Sequence, residues 1–134
     1  MICSIERADF IIHAASQASN IQFETDPVGT INANLSGTSN ILDFALESKS
    51  ESVLVVSSLK VYGALHNGKN SISEDDIGYI DFTSYKNCYA VGKRASETLA
   101  ASYCKQFGLN VKIARPSYIY GASSLTDDRV WAQF

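Results

Sequence analysis

Apolar and polar positions along this chain fall into two alternating rhythms. Short, nearly unbroken apolar runs are separated by longer stretches in which apolar residues return every three or four positions. "ADFIIHAAS", Ala8 to Ser16, is such a run. It predicts a strand buried on both faces, because a strand covered on both sides does not need to alternate. "TDPVGTINANLSGTSNILDFALESK" then carries a helix start. Asp26 is placed to cap it and Pro27 suits the first helical position. Val28, Ile31, Leu35, Leu42 and Ala45 follow at helical spacing. Gly37 inside this helix costs about 1 kcal/mol relative to alanine, which close packing on a neighbour would justify. "SVLVVSSL", Ser52 to Leu59, predicts a second buried strand. Residues 60 to 83 form a long polar connection, of a length that usually carries function or is disordered. A second helix is expected from about Ser84 to Phe107, ended by Gly108. "NVKIARPSYIYG", Asn110 to Gly121, predicts a third strand interrupted by Pro116, and the last residues show no clear period.

Strand, helix, strand, helix, strand is the order of an α/β protein with right-handed crossovers and a parallel sheet. In open sheets of this kind ligands sit beyond the C-terminal ends of the strands. Those ends are "HAAS", "SSLK" and "RPSY".

Composition narrows the class. The 134 residues suffice for one domain, and 46% hydrophobic with 19% charged is ordinary for a globular protein. A net charge of -3 without a basic block argues against a nucleic-acid partner. No apolar run approaches the roughly 20 residues that span a bilayer, so no membrane association is expected. The charged N-terminus "MICSIERADF" does not resemble a secretory signal. Cys3, Cys88 and Cys104 are odd in number and far apart, which points to a reducing, cytoplasmic setting rather than to disulfides or zinc. No metal site is expected, since the charge run Glu74–Asp75–Asp76 lacks further ligands.

The candidate chemistry lies in "CYAVGKRASETLAASY", Cys88 to Tyr103. Tyr89 and Lys93 stand four residues apart on the expected helix and so share a face. An ammonium one turn away favours a phenolate, which can exchange a proton with a substrate hydroxyl or carbonyl. A serine hydroxyl at a strand end, Ser57 or Ser58, would hold the same oxygen as its charge develops. The spacing alone is weak, since roughly 0.4 such pairs are expected by chance in a chain of this composition. Its company strengthens it: the two serines end the preceding strand, and Asn34 lies in the other helix. His13 reads as a packing or backbone-bonding residue and His66 as solvated. Glu97 reads as a helix-surface ion partner one turn after Lys93, Cys88 as a thiol without a base, and Trp131 as an anchor for further sequence.

"DFIIHAAS", "NANLSGTSNIL", "VVSSLKVYG", "CYAVGKRASETL" and "ARPSYIYG" stand in the order of the extended short-chain dehydrogenase/reductases. The chain most resembles their NAD-dependent epimerase/dehydratase, nucleotide-sugar branch, from about Asp9 to Gly121. The resemblance implies a partial Rossmann-like, doubly wound parallel sheet, with residues 1–134 forming one partial NAD(P)-binding domain that lacks the glycine-rich half and the substrate domain. It implies NAD as cofactor, NADP remaining open, and a nucleotide sugar as substrate. Tyr89 would be the acid/base. Lys93 would favour its phenolate and bond the nicotinamide ribose, and Ser58 would be the catalytic hydroxyl. Ala14, Ala15, Asn34, Ser57, Pro116 and Ser117 would approach the cofactor or organise the site. Tyr118 stands where the resemblance expects a substrate-contacting asparagine. Leu59 and Lys60 stand where dehydratases and decarboxylases of this kind usually carry a carboxylate, which favours plain oxidation–reduction and an epimerase over elimination. A dehydratase, decarboxylase or reductase of the same family is the alternative. The eight glycines make no pyrophosphate turn, so the isolated chain is expected to bind NAD weakly. A non-catalytic fragment that acts by association is a further reading, and the two helices are expected to form a homodimer.

Overall fold

A computed structural model of the chain describes residues 5–65 and 71–119. Three strands, β1 (Phe10–His13), β2 (Ser52–Val56) and β3 (Val111–Ala114), form one sheet in the order β1-β2-β3. All pairings are parallel, with Ile12 opposite Leu54 and Leu54 opposite Lys112. Helix α1 (Asn20–Thr25) is followed by the long α2 (Pro27–Glu47), and α3 (Cys88–Phe107) connects β2 to β3. The order strand, helix, strand, helix, strand is the one the hydrophobic pattern predicts; the six-residue α1 has no counterpart in that reading. His66 and Trp131 lie outside the described residues.

The core sits between the helix pair and one face of the sheet. Leu42 and Ala45 of α2, Val53 and Val55 of β2, Ala100 of α3 and Leu109 are all buried there. The opposite face is open among the described residues. Phe10 and Ile12 are 70% and 71% exposed, so β1 alternates rather than being buried on both faces. The reason is geometric. Both long helices lie on the side to which Ile11, His13, Val53 and Val55 point, and β1 is at the sheet edge.

Helix α2 begins as expected, with Pro27 in its first turn and Asp26 Oδ1 accepting from Gly29 N at 2.9 Å. Its buried stripe departs from the apolar reading. Thr30, Asn34, Thr38, Leu42 and Ala45 face inward, and Val28 is exposed. The first three are polar, and each is hydrogen-bonded: Thr30 Oγ1 donates to Gln17 Oε1 or Asp26 O, Asn34 Nδ2 to Thr30 O, and Thr38 Oγ1 to Ser96 Oγ. Burial of polar groups is tolerable on that condition. Short side chains here let α2 approach α3 closely. The glycine at that contact is Gly92 of α3, where a Cβ would lie 3.1 Å from Asn34 Cβ. A Cβ on Gly37, expected to be the close-packing residue, would meet nothing within 4 Å.

Before α3 the chain makes a short 3-10 turn, Tyr85–Asn87, so the α-helix starts at Cys88 rather than Ser84. Gly108 ends it at φ 69°, a left-handed conformation suited to glycine, with its N–H donating to Cys104 O. Strand β2 ends earlier than its apolar run, and Leu59–Tyr62 forms another 3-10 turn. The polar connection that follows is held by its main chain. Ala64 and Tyr79 form an antiparallel bridge. Arg94 donates to Val61 O (2.6 Å) and Gly78 O (2.8 Å). Arg115 donates to Glu74 O (2.8 Å) and forms a two-pronged pair with Glu97, at 2.9 and 2.7 Å. Glu97 is therefore not a surface partner of Lys93. It faces β3, its side chain is 12% exposed, and it raises the already high pKa of the guanidinium. Among the described residues no helix is long and apolar enough to cross a membrane.

Candidate active site

Parallel pairing brings the three strand ends to one edge. Ala14 and Ala15 follow β1, Ser57 and Ser58 follow β2, and Arg115 to Ser117 follow β3. Because α3 runs back from β2, its first turn, with Tyr89, belongs to the same edge. Lys93 lies one turn deeper. It is 5% exposed, and its Nζ donates to Val56 O, the last carbonyl of β2, at 2.8 Å. The ammonium also stands 5.7 Å from the centre of the Tyr89 ring. Burial lowers the Lys93 pKa below the ordinary lysine value. One of three ammonium protons is used by Val56, which leaves two for a ligand.

The Tyr89 ring is half-buried and stacks on Phe23 of α1, with centroids 4.8 Å apart and planes inclined by 23°. Tyr85 Oη donates to Glu24 Oε2 at 3.0 Å, so α1 is fastened to the start of α3 at two points. Cys88 is buried beside Phe23 O.

The serines divide their tasks. Ser58 is half-buried and caps the 3-10 turn, its Oγ accepting from Lys60 N at 3.2 Å. Ser57 is 3% exposed, its N–H donates to Ala114 O, and its Oγ is buried without a hydrogen-bond partner. A buried hydroxyl left unsatisfied costs free energy that a bound polar group would recover. Asn34 holds its place by accepting from Ser16 Oγ at 3.0 Å while its own amide bonds Thr30 O. Ala14 and Ala15 are exposed and small, which lets a ligand approach the backbone there. Pro116 is half-buried and its carbonyl accepts from Leu59 N, tying the ends of β2 and β3 together. Ser117 and Tyr118 are exposed. The structure thus brings the Lys93 ammonium to the last carbonyl of β2, just before Ser57 and Ser58, with the Tyr89 ring beside it, while Asn34 packs on Gly92, the residue before Lys93. A separate cleft of about 290 Å³, lined by residues including Tyr62, Arg94, Glu97 and Arg115, contains none of these. The Arg115–Glu97 pair and the Arg94 main-chain bonds line it.

Thr38, Ser96, Gln17 and Phe23 were not legible as site residues. The Thr30–Asn34–Thr38 spacing of four was the available signal, and it was masked by the apolar residues beside it.

A parallel sheet flanked by helices, with a tyrosine–lysine pair beside the strand ends, is an arrangement that Rossmann-like proteins of the nicotinamide-dependent type share. The NAD dependent epimerase/dehydratase family model matches residues 1–134, and the chain belongs to that family. It is 36% identical over 129 residues to UDP-glucuronic acid decarboxylase 5 of Arabidopsis thaliana, covering 94% of this chain and 36% of the relative. The chain therefore spans about a third of the length of the curated relatives it matches. Among solved structures, RMD from Pseudomonas aeruginosa complexed with NADPH superposes with a TM-score of 0.72 at 34% identity, covering 84% of this chain and 37% of that one. UDP-glucose 4-epimerase from Brucella ovis in complex with NAD gives 0.68 at 25% identity, covering 80% and 31%.

Proposed function

We propose that this chain is the catalytic core of an NAD(P)-dependent nucleotide-sugar enzyme that moves hydride at a sugar carbinol carbon, with epimerisation as the overall reaction. The observation that carries it is the buried Lys93 ammonium, fixed to the last carbonyl of β2 and facing the Tyr89 ring. The residues at this edge fit the nicotinamide end of a dinucleotide. Two ammonium protons of Lys93 are available to a ribose, and the unsatisfied Ser57 Oγ to a polar group of the ring. When bound, the nicotinamide would supply the hydride acceptor.

The chain's own residues do the rest. Tyr89 takes the proton from the sugar hydroxyl as hydride departs and returns it on reduction. Lys93 stabilises the phenolate that must be present before the proton is taken and that forms again once it is returned. Ser58 donates to the sugar oxygen as it becomes a carbonyl. Phe23 covers one side of the tyrosine ring and keeps water from it. Pro116, Ser117 and Tyr118 stand beside the substrate end, with Ala14, Ala15 and Asn34 on the cofactor side. Residues 1–134 would act as one partial domain of a longer enzyme, in a cytoplasmic setting.

A second reading, sugar-nucleotide decarboxylation, is favoured by the named decarboxylase relatives. Leu59 and Lys60 offer no carboxylate, which disfavours elimination. Loss of CO2 needs none, because oxidation of a carbinol β to a carboxylate gives a keto acid that breaks down unaided. Incubation of the full-length enzyme with NAD separates the readings. Interconversion of UDP-glucose and UDP-galactose without CO2 release from UDP-glucuronic acid is the expected result. CO2 release would establish the second reading instead.

We also propose self-association through α2 and α3, whose outward positions Asn32, Ser36, Asn40 and Thr98 are short and exposed. A dimer by size-exclusion chromatography with light scattering is expected. A well-folded monomer at micromolar concentration would count against it, and against the reading of the chain as a module that works by association.

A further inference from the structure

His13 is buried at the end of β1, and its bond is neither to the backbone nor to a carboxylate. Its Nε2 lies 3.2 Å from Thr38 Oγ1 of α2. Thr38 Oγ1 is in turn 3.2 Å from Ser96 Oγ of α3, and Ser96 Oγ lies 2.8 Å from Asn34 O and 2.9 Å from Gly92 O. These contacts have a single consistent direction. Carbonyl oxygens only accept, so the one Ser96 proton must point to Asn34 O or Gly92 O. Ser96 Oγ then accepts from Thr38, which spends the one Thr38 proton. Thr38 Oγ1 must therefore accept from His13, and the imidazole must carry hydrogen on Nε2.

The far end of this chain is the turn of α3 that presents Lys93. Gly92 precedes it and packs on the Asn34 side chain, and Ser96 lies three residues beyond. The three hydroxyl and imidazole links join β1, α2 and α3 at the level where Lys93 reaches β2. We propose that His13 is a positioning residue for Lys93: in its Nε2–H form it heads a one-way hydrogen-bond chain, His13–Thr38–Ser96, that seats the Lys93 turn of α3 against α2 and the end of β2. The proposal rests on the reading of Tyr89 and Lys93 as the site. Burial, then the Lys93 charge, lower the His13 pKa, which agrees with a neutral ring.

Both readouts come from nuclear magnetic resonance of the full chain and need no cofactor or turnover. They therefore remain informative if the catalytic role of Tyr89 fails its own test. First, nitrogen-15 imidazole shifts report the tautomer. The chain has two histidines, and His66→Gln assigns the remaining signal to His13. A neutral ring protonated on Nε2 is expected, and a ring protonated on Nδ1 would overturn the proposal. Second, the titration of Lys93, labelled at its ε-carbon and assigned by Lys93→Arg, is followed in His13→Leu, Thr38→Val and His13→Gln. Either of the first two breaks the chain, and one suffices if the other does not fold. Lys93 should then gain solvent and titrate higher. His13→Gln places an amide donor near the original Nε2 and should restore the lowered titration. An unmoved Lys93 titration in a folded His13→Leu or Thr38→Val, or no restoration by glutamine, would refute the positioning role.

Discussion

Replacing Tyr89 with phenylalanine is expected to lower kcat of the NAD-loaded, full-length enzyme by about a thousandfold, within the range of a lost general acid–base group. The effect should fall on kcat and leave KM near its original value, because the lost interaction belongs to the transition state. The structure makes this substitution clean. The Phe23 stack at 4.8 Å uses the ring face and not the hydroxyl, so phenylalanine keeps the packing. Steady-state kinetics with UDP-glucose and NAD, together with an unchanged melting curve, check it. Turnover close to that of the unsubstituted enzyme would remove Tyr89 from the mechanism and leave association as the leading account of the chain.

Lys93→Met should have a different signature: turnover falls by a similar factor, whereas the melting temperature holds or rises. A buried charge is expensive to desolvate, and an apolar chain of like length often stabilises in its place. Here the ammonium is compensated by one carbonyl, Val56 O. The pH dependence gives an independent check. Burial lowers the Lys93 pKa from the ordinary 10.5. Below the folded value both folded and unfolded chains carry the proton, and the full desolvation penalty applies. Between the folded value and 10.5 the unfolded chain binds more protons, so stability rises with pH across that interval. Denaturation midpoints measured through the alkaline range should show this rise in the unsubstituted protein and lose it in Lys93→Met. An equal rise in both would assign it to another group.

Much of the fold was legible because the strands and helices obey local rules. The Asp26–Pro27 start and the Gly108 stop were written in residue type. What failed depended on which face each element turns. The apolar residues of β1 suggested burial on both sides, yet Phe10 and Ile12 face outward because both long helices pack on the other face. Val28 fits a helical apolar stripe in sequence, but α2 turns so that Thr30, Asn34 and Thr38 meet α3. Periodicity ranks residues by hydrophobicity and does not register that a small, hydrogen-bonded threonine allows a closer helix contact than a valine. Tyr89, Lys93 and the serine pair are proposed from spacing and order, and the structure sets the Lys93 ammonium beside the Tyr89 ring and on the carbonyl that precedes the serines. Phe23 is not legible in this way, since a stack between residues 66 positions apart leaves no trace in local pattern. Proximity in sequence pairs Glu97 with Lys93, whereas its partner, Arg115, arrives from just beyond the end of β3.

The two arginines that hold the connection after β2 have a consequence for how this protein can diverge. Arg94 grips the carbonyls of Val61 and Gly78, and Arg115 that of Glu74. Every amino acid has a carbonyl. The side chains of Ile72, Ile77, Tyr79 and Phe82 are meanwhile exposed. The two arginines therefore do not depend on the side chains at these exposed positions, whereas Gly63 and Gly78, which have no room for a Cβ, and the buried Ile80 are fixed by packing. New side chains can be written into the exposed positions by mutation while the Arg94 and Arg115 contacts persist, so the surface beside α3 can drift toward new ligands without disturbing the sheet and helices beneath it.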